Sequence, residues 1–335
     1  MTIQPLSNGP REISVTEAIE PAYERVKLML FRPFDLSKWI IIGFCAWLAV
    51  LGEGGGGPAG AFNNLGNHDG AHRPAEQFQR YYNQAHDFIL VNLVWIVPVL
   101  TFAALLAVGL GLLVLWLNCR GKFMFLHCVA LNEAAVEAPW RQYAARSNSL
   151  FWFRLLVCLV GMALCLPMVI FLAIAIIQMV GQGEPNIAGV MAVLGLGLGL
   201  VLVGVPLALV RKFTADFVVP IMYLRGSYCK AAWGEFWRLL SAHPGNFALY
   251  ILFQVVLAMV IGAMVIAAVL VTCCIAACFL ALPFIGTVLL LPVLIFKRSY
   301  SLYYLAQYGP QYDVFPKPAP MAPPAADLPI PPLGA

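Results

Sequence analysis

Charge is what this chain lacks most. Of its 335 residues 61% are hydrophobic and only 11% are Asp, Glu, Lys or Arg, against the roughly 25% charge of a soluble domain. Five stretches carry none at all: Trp39–Gly52, Phe88–Cys119, Leu155–Gly183, Pro185–Val210 and Leu239–Phe296. A water-soluble fold of this size has no way to cover so much apolar surface, which excludes a soluble enzyme or binding domain. The first 38 residues also lack the apolar core of a cleaved signal peptide, being mostly polar with Glu12, Glu17, Glu20 and Glu24. The first apolar run is therefore expected to act as an uncleaved insertion signal.

Reaction signatures are missing as well. There is no Ser nucleophile elbow, no paired acid motif beside a His and no H-E-x-x-H. Cys273-Cys274-Ile275-Ala276-Ala277-Cys278 lacks the Cys-x-x-Cys spacing of redox and zinc motifs. None of the nine cysteines falls in the polar segment Glu53–Asp87, so free thiols are expected in place of a disulfide framework. Nor does the net charge of +4 point to nucleic acid, because the cations sit beside the apolar runs and form no continuous stripe.

What is present reads as membrane helix. An uncharged apolar run of ~18 or more residues crosses a hydrocarbon core of roughly 30 Å. Leu239–Phe296 is long enough for two such crossings with an outer turn in Thr272–Pro283, so six spans are expected, near 36–52, 88–118, 152–180, 187–210, 246–271 and 276–297. The expected fold is an all-α polytopic bundle over 36–310, between a cytoplasmic segment 1–35 and a Pro-rich cytoplasmic tail 311–335. Six spans leave only Arg73 and Arg80 on one side and every other Lys and Arg on the opposite side. By the excess of cations on cytoplasmic loops, that side is inside and both termini are cytoplasmic. Arg120-Gly121-Lys122-Phe123, Arg211-Lys212-Phe213 and Lys297-Arg298-Ser299-Tyr300 follow the second, fourth and sixth runs. This is a weak internal repeat of hairpin units.

Two segments outside the runs are amphipathic. Val15, Ala18, Ile19, Ala22, Val26, Met29 and Leu30 share one face of a helix over Ser14–Phe31, and Cys229, Trp233, Phe236, Trp237 and Leu240 share another beside Lys230, Glu235 and Arg238. Such faces either lie in the headgroup plane, where Trp233, Trp237 and Arg238 would be interfacial, or pack beneath the bundle. The outer loop 53–87 holds His68, His72 and Glu76 at helical spacing, a weak zinc candidate interrupted by Gly70 and Pro74. Gly195-Leu196-Gly197-Leu198-Gly199 allows close helix approach in lipid. The tail carries Pro320-Met321-Ala322-Pro323 and Pro329-Ile330-Pro331-Pro332, loose matches to docking motifs. No ionisable group lies near the middle of a run; the acid of most interest is Asp216, a turn or so beyond Arg211 and Lys212.

Leu30-Phe31-Arg32-Pro33-Phe34-Asp35, Asp216-Phe217-Val218-Val219-Pro220-Ile221-Met222-Tyr223, His243-Pro244-Gly245 and Lys297-Arg298-Ser299-Tyr300-Ser301-Leu302 together resemble a group of uncharacterised bacterial multispanning membrane proteins. That group is distantly similar to the membrane domain of some glycerophosphodiester phosphodiesterases. The resemblance implies a bacterial inner membrane and a six-span helical body, and it carries no activity, cofactor or catalytic residue. Three roles stay open: a non-enzymatic protein that binds lipid, other membrane proteins or its own copies; a carrier or channel for a neutral or amphipathic solute; and a membrane-embedded lipid enzyme.

Overall fold

The computed structural model describes residues 13–32, 34–53, 93–181, 187–272 and 282–315. Every regular element among them is helical: α1 (Ile19–Leu30), α2 (Leu36–Val50), α3 (Leu93–Leu131), α4 (Glu137–Gln142), α5 (Ala144–Gly181), α6 (Ile187–Phe213), a π-turn (Thr214–Val218), α7 (Val219–Arg225), α8 (Cys229–Ala242), α9 (Pro244–Val271), α10 (Pro283–Leu289), α11 (Leu291–Ala306) and a 3₁₀ turn (Pro310–Tyr312). The boundaries follow local chemistry. Asp35, in extended backbone, caps α2 by accepting from the Ser37 amide at 2.9 Å. Pro244 opens α9 in the first turn, where its missing N–H costs nothing, and Gly226 closes α7 at φ +66°, a conformation glycine adopts freely.

Four helical segments among the described residues are long and apolar enough to cross a membrane, built on α3, α5, α6 and α9. Each is buried at one end and bare at the other. Along α3, Val94 to Leu113 are exposed or nearly so, whereas Asn118 to Ala130 are buried apart from the half-buried Arg120. α9 reverses the order, with Phe247, Tyr250 and Gln254 buried and Met259, Met264 and Leu270 exposed. The buried ends join α1, α2, α7, α8, α10 and α11 in one core. Phe102 is 69% exposed, Leu202 74% and Val271 83%; at roughly 25 cal/mol per Å² of apolar surface, water is the wrong solvent for them and lipid the right one. The chain reads as a multi-pass helical membrane protein.

The first expected run departs from this pattern. α2 has 15 residues, about 22 Å at ~1.5 Å per residue, and it runs antiparallel along the buried end of α3. Lys38 Nζ donates to Asn132 Oδ1 (2.9 Å), the Cys45 and Cys128 sulfurs are 3.9 Å apart, and the Asn118 amide donates to the carbonyls of Ala49 (2.6 Å) and Leu51 (2.9 Å). Glu53, expected at the outer face, thus meets Lys122 and Arg154, expected at the inner one. Two residues produce the pairing. Gly121 has no side chain to hold off the α2 backbone at Leu48 and Ala49, and Asn118 satisfies carbonyls left open where α2 ends.

The sixth expected run is two helices, α10 and α11, broken at Leu290 just ahead of Pro292. Both amphipathic segments pack into the core. α1 covers α11 with Ala22, Val26, Met29 and Leu30, while Tyr300 donates to the Val15 carbonyl (3.0 Å) and Gln307 exchanges two 2.9 Å bonds with the Ser14 backbone. α8 buries Cys229, Ala232 and Phe236. Of the glycine series, Gly199 lies against Met168 on α5, and Gly195 and Gly197 face open space. The zinc candidate His68, His72 and Glu76, the apolar cysteines 273, 274 and 278, and the tail motifs of 316–335 lie outside the described residues.

Candidate functional site

The site forms where α6 stops being an α-helix. Thr214 Oγ1 donates back to the Val210 carbonyl at 2.6 Å, and Thr214–Val218 take the wider π-turn, a rare geometry that often marks functional positions. The turn aims Phe217 into an aromatic core, stacked on Phe236 at 5.4 Å and against Tyr250 at 4.9 Å. Asp216 is left at the rim of that core, with 14% of its side chain exposed. A carboxylate so placed needs partners, since a lone buried charge is costly. Lys212 Nζ lies 2.7 Å from Asp216 Oδ2, and Tyr250 Oη donates to the same oxygen at 3.0 Å. Gln254 Nε2 in turn donates to Tyr250 Oη at 3.0 Å. From α11, Arg298 NH1 donates to the Ala215 carbonyl at 2.7 Å, while its Nε and NH2 are enclosed without a hydrogen-bond partner among the described residues.

This polar cluster closes one end of a cleft of about 330 Å³ between α6 and α9, within the ~300–1,000 Å³ range of small-ligand pockets. Lys212, Gln254 and Lys297 line the polar end. Val205, Ala208 and Leu209 form one apolar wall, and Ile251, Val255 and Ala258 the other.

Residues 13–291 match a family of unknown function, DUF7544. The chain belongs to that family. No curated protein and no solved structure matches it. For this DUF7544 member the chemistry must therefore be read from its own side chains. The cleft holds cations, an amide and an apolar corridor. Among the described residues no three His, Cys, Asp or Glu side chains are grouped to hold a metal ion.

Of the residues singled out from sequence, Lys212 and Asp216 are joined, and their spacing of four places them on one helical face. Arg211 is exposed and pairs with neither. Trp233 packs on Phe153 (5.7 Å) and Phe236 (5.5 Å), whereas Trp237 is 60% exposed. Arg238 lines a separate open cleft of about 480 Å³ with Arg225, Glu235 and Tyr312. Tyr250, Lys297 and Arg298 were not foreseen as site residues. Gln254 bonds Tyr250, one turn back on α9. The available signal was that Lys212 and Lys297 each follow an uncharged run directly or after one residue.

A second ionic cluster ties α2 to the long helices. Glu53 Oε1 lies 2.6 Å from Lys122 Nζ and 3.0 Å from Arg154 NH2, and Arg154 also donates to Asn118 Oδ1. Burial opposes the charge on Glu53, but the Lys122 ammonium and the Arg154 guanidinium outweigh it and hold the carboxyl below its usual range. The six described cysteines are free thiols, and burial pushes that of Cys229 up to about 12. Such a thiol is a poor nucleophile.

Proposed function

We propose that this DUF7544 member is a non-enzymatic protein of the bacterial cytoplasmic membrane that keeps its basic body and both termini in the cytoplasm and binds lipid or a membrane partner there. One observation supports it above others: every described Lys and Arg sits in or beside the core, and none lies on the bare halves of α3, α5, α6 and α9. Cations retained at one end of all four helices are what cytoplasmic retention produces. Residues 54–92 and 273–281, on which the rest of the expected six passages depends, lie outside the described residues.

A lipid enzyme built on Asp216 is the rival to exclude. Overproduction of the wild-type chain and of Asp216→Asn in the same cells, followed by quantitative phospholipid analysis, is expected to give identical headgroup profiles. A profile that shifts with the wild-type chain and reverts with Asp216→Asn contradicts the non-enzymatic reading.

A further inference from the structure

We infer that the cleft between α6 and α9 is a binding site for an anionic phospholipid of the cytoplasmic leaflet, its phosphate held by Lys212 and Lys297 and an acyl chain lying along the apolar walls. The inference deepens the reading of the basic body as cytoplasmic and rests on it.

Depth is the first argument. Lys212 stands just past the uncharged run Pro185–Val210, and Lys297 is the first charge after Leu239–Phe296. Both therefore sit where hydrocarbon gives way to headgroups, the level of lipid phosphates. Charge is the second. Lys212, Lys297 and Arg298 gather around one carboxylate, Asp216, which already accepts from Lys212 and Tyr250. Lys297 Nζ has no ion-pair or hydrogen-bond partner among the described residues, and two nitrogens of the neighbouring Arg298 are likewise unpartnered. The two ammonium groups in the lining, Lys212 and Lys297, with the enclosed Arg298 guanidinium adding positive charge behind them, call for an anion with several acceptor oxygens. Shape is the third. The apolar walls open toward the bare faces of α6 and α9, where Val205 and Val255 are each 51% exposed. A hydrophilic anion gains nothing from such walls, whereas a lipid fills them. Gln254 at the junction can donate to a glycerol or ester oxygen with the hydrogen its bond to Tyr250 leaves free.

The test is native mass spectrometry of the detergent-purified full chain titrated with phosphatidylglycerol, phosphatidylcholine of the same acyl chains, or glycerol 3-phosphate. Phosphatidylglycerol should be retained in preference to both. Lys297→Gln is the clean variant because it breaks no internal pair; it should weaken retention roughly fivefold, and Lys212→Gln with Lys297→Gln about 25-fold, at ~1 kcal/mol per cation near the surface. Lys230→Gln on α8 should leave retention unchanged. Equal retention of phosphatidylcholine, binding of glycerol 3-phosphate as tight as the lipid, or a Lys297→Gln titration that overlays the wild type each overturns the site. If the lipid data fail while topology reporters place the body in the cytoplasm, the site alone is wrong. A body found outside overturns the reading beneath it.

Discussion

Glu53→Gln should destabilise the fold by roughly 3 kcal/mol, because it leaves two enclosed cations facing each other with no anion between them. Only 10% of the Lys122 side chain and 10% of the Arg154 side chain are exposed. Removing one partner of a buried pair costs about 3–5 kcal/mol. The lower figure applies because 33% of the Glu53 side chain is open, and its attraction is screened to that extent. The measurement is thermal unfolding in detergent across pH. Glu53 titrates below the usual carboxylate range in the folded chain, so its contribution is fully present above that range and is lost as pH falls through the lowered folded value. Wild type and Glu53→Gln should therefore differ most at neutral pH and converge in acid. Equal unfolding temperatures at pH 7 would show that the cluster holds nothing together.

Gly121→Val should be at least as damaging, through packing alone. A Cβ at residue 121 would fall on the backbone of Leu48 and Ala49. Overpacking a core costs about 1–3 kcal/mol when side chains can give way; here the obstructing atoms are main chain, so α2 must leave α3 and take with it the bonds from Asn118 and Lys38. Gly111→Ala is the matched control, since a Cβ there meets nothing within 4 Å. In a helix interior that change should be neutral or stabilising by up to ~1 kcal/mol. Yield of monodisperse protein and unfolding temperature separate the two variants. A Gly121→Val chain that purifies and unfolds like wild type refutes the close approach of α2 to α3.

The extent to which the sequence anticipated this depended on whether a feature is local. Four charge-free runs became the apolar parts of α3, α5, α6 and α9, because hydrocarbon solvation acts residue by residue and leaves its mark in composition. Asp216 and Lys212 were visible as a pair because four residues make one helical turn. The partner of α2 was not legible in its composition. It is as apolar as the spans, yet its neighbour is decided by Gly121 and Asn118, far along the chain and unremarkable until the two backbones meet. The same holds for the cleft. Lys297 and Gln254 come together only through the aromatic contacts of α9 and α11 around Phe217 of the π-turn, and the π-turn that presents Asp216 has no signature in residue type.

The account's central claim is that the bare halves of four helices sit in lipid with the basic body on the cytoplasmic side. Fusing alkaline phosphatase or green fluorescent protein after Glu184, Arg146, Arg225 and Tyr312 tests it most directly. The expected pattern is phosphatase activity without fluorescence at Glu184, and fluorescence without phosphatase activity at the other three. Phosphatase activity after Arg146 and Arg225, with fluorescence after Glu184, would place the body outside and contradict the account.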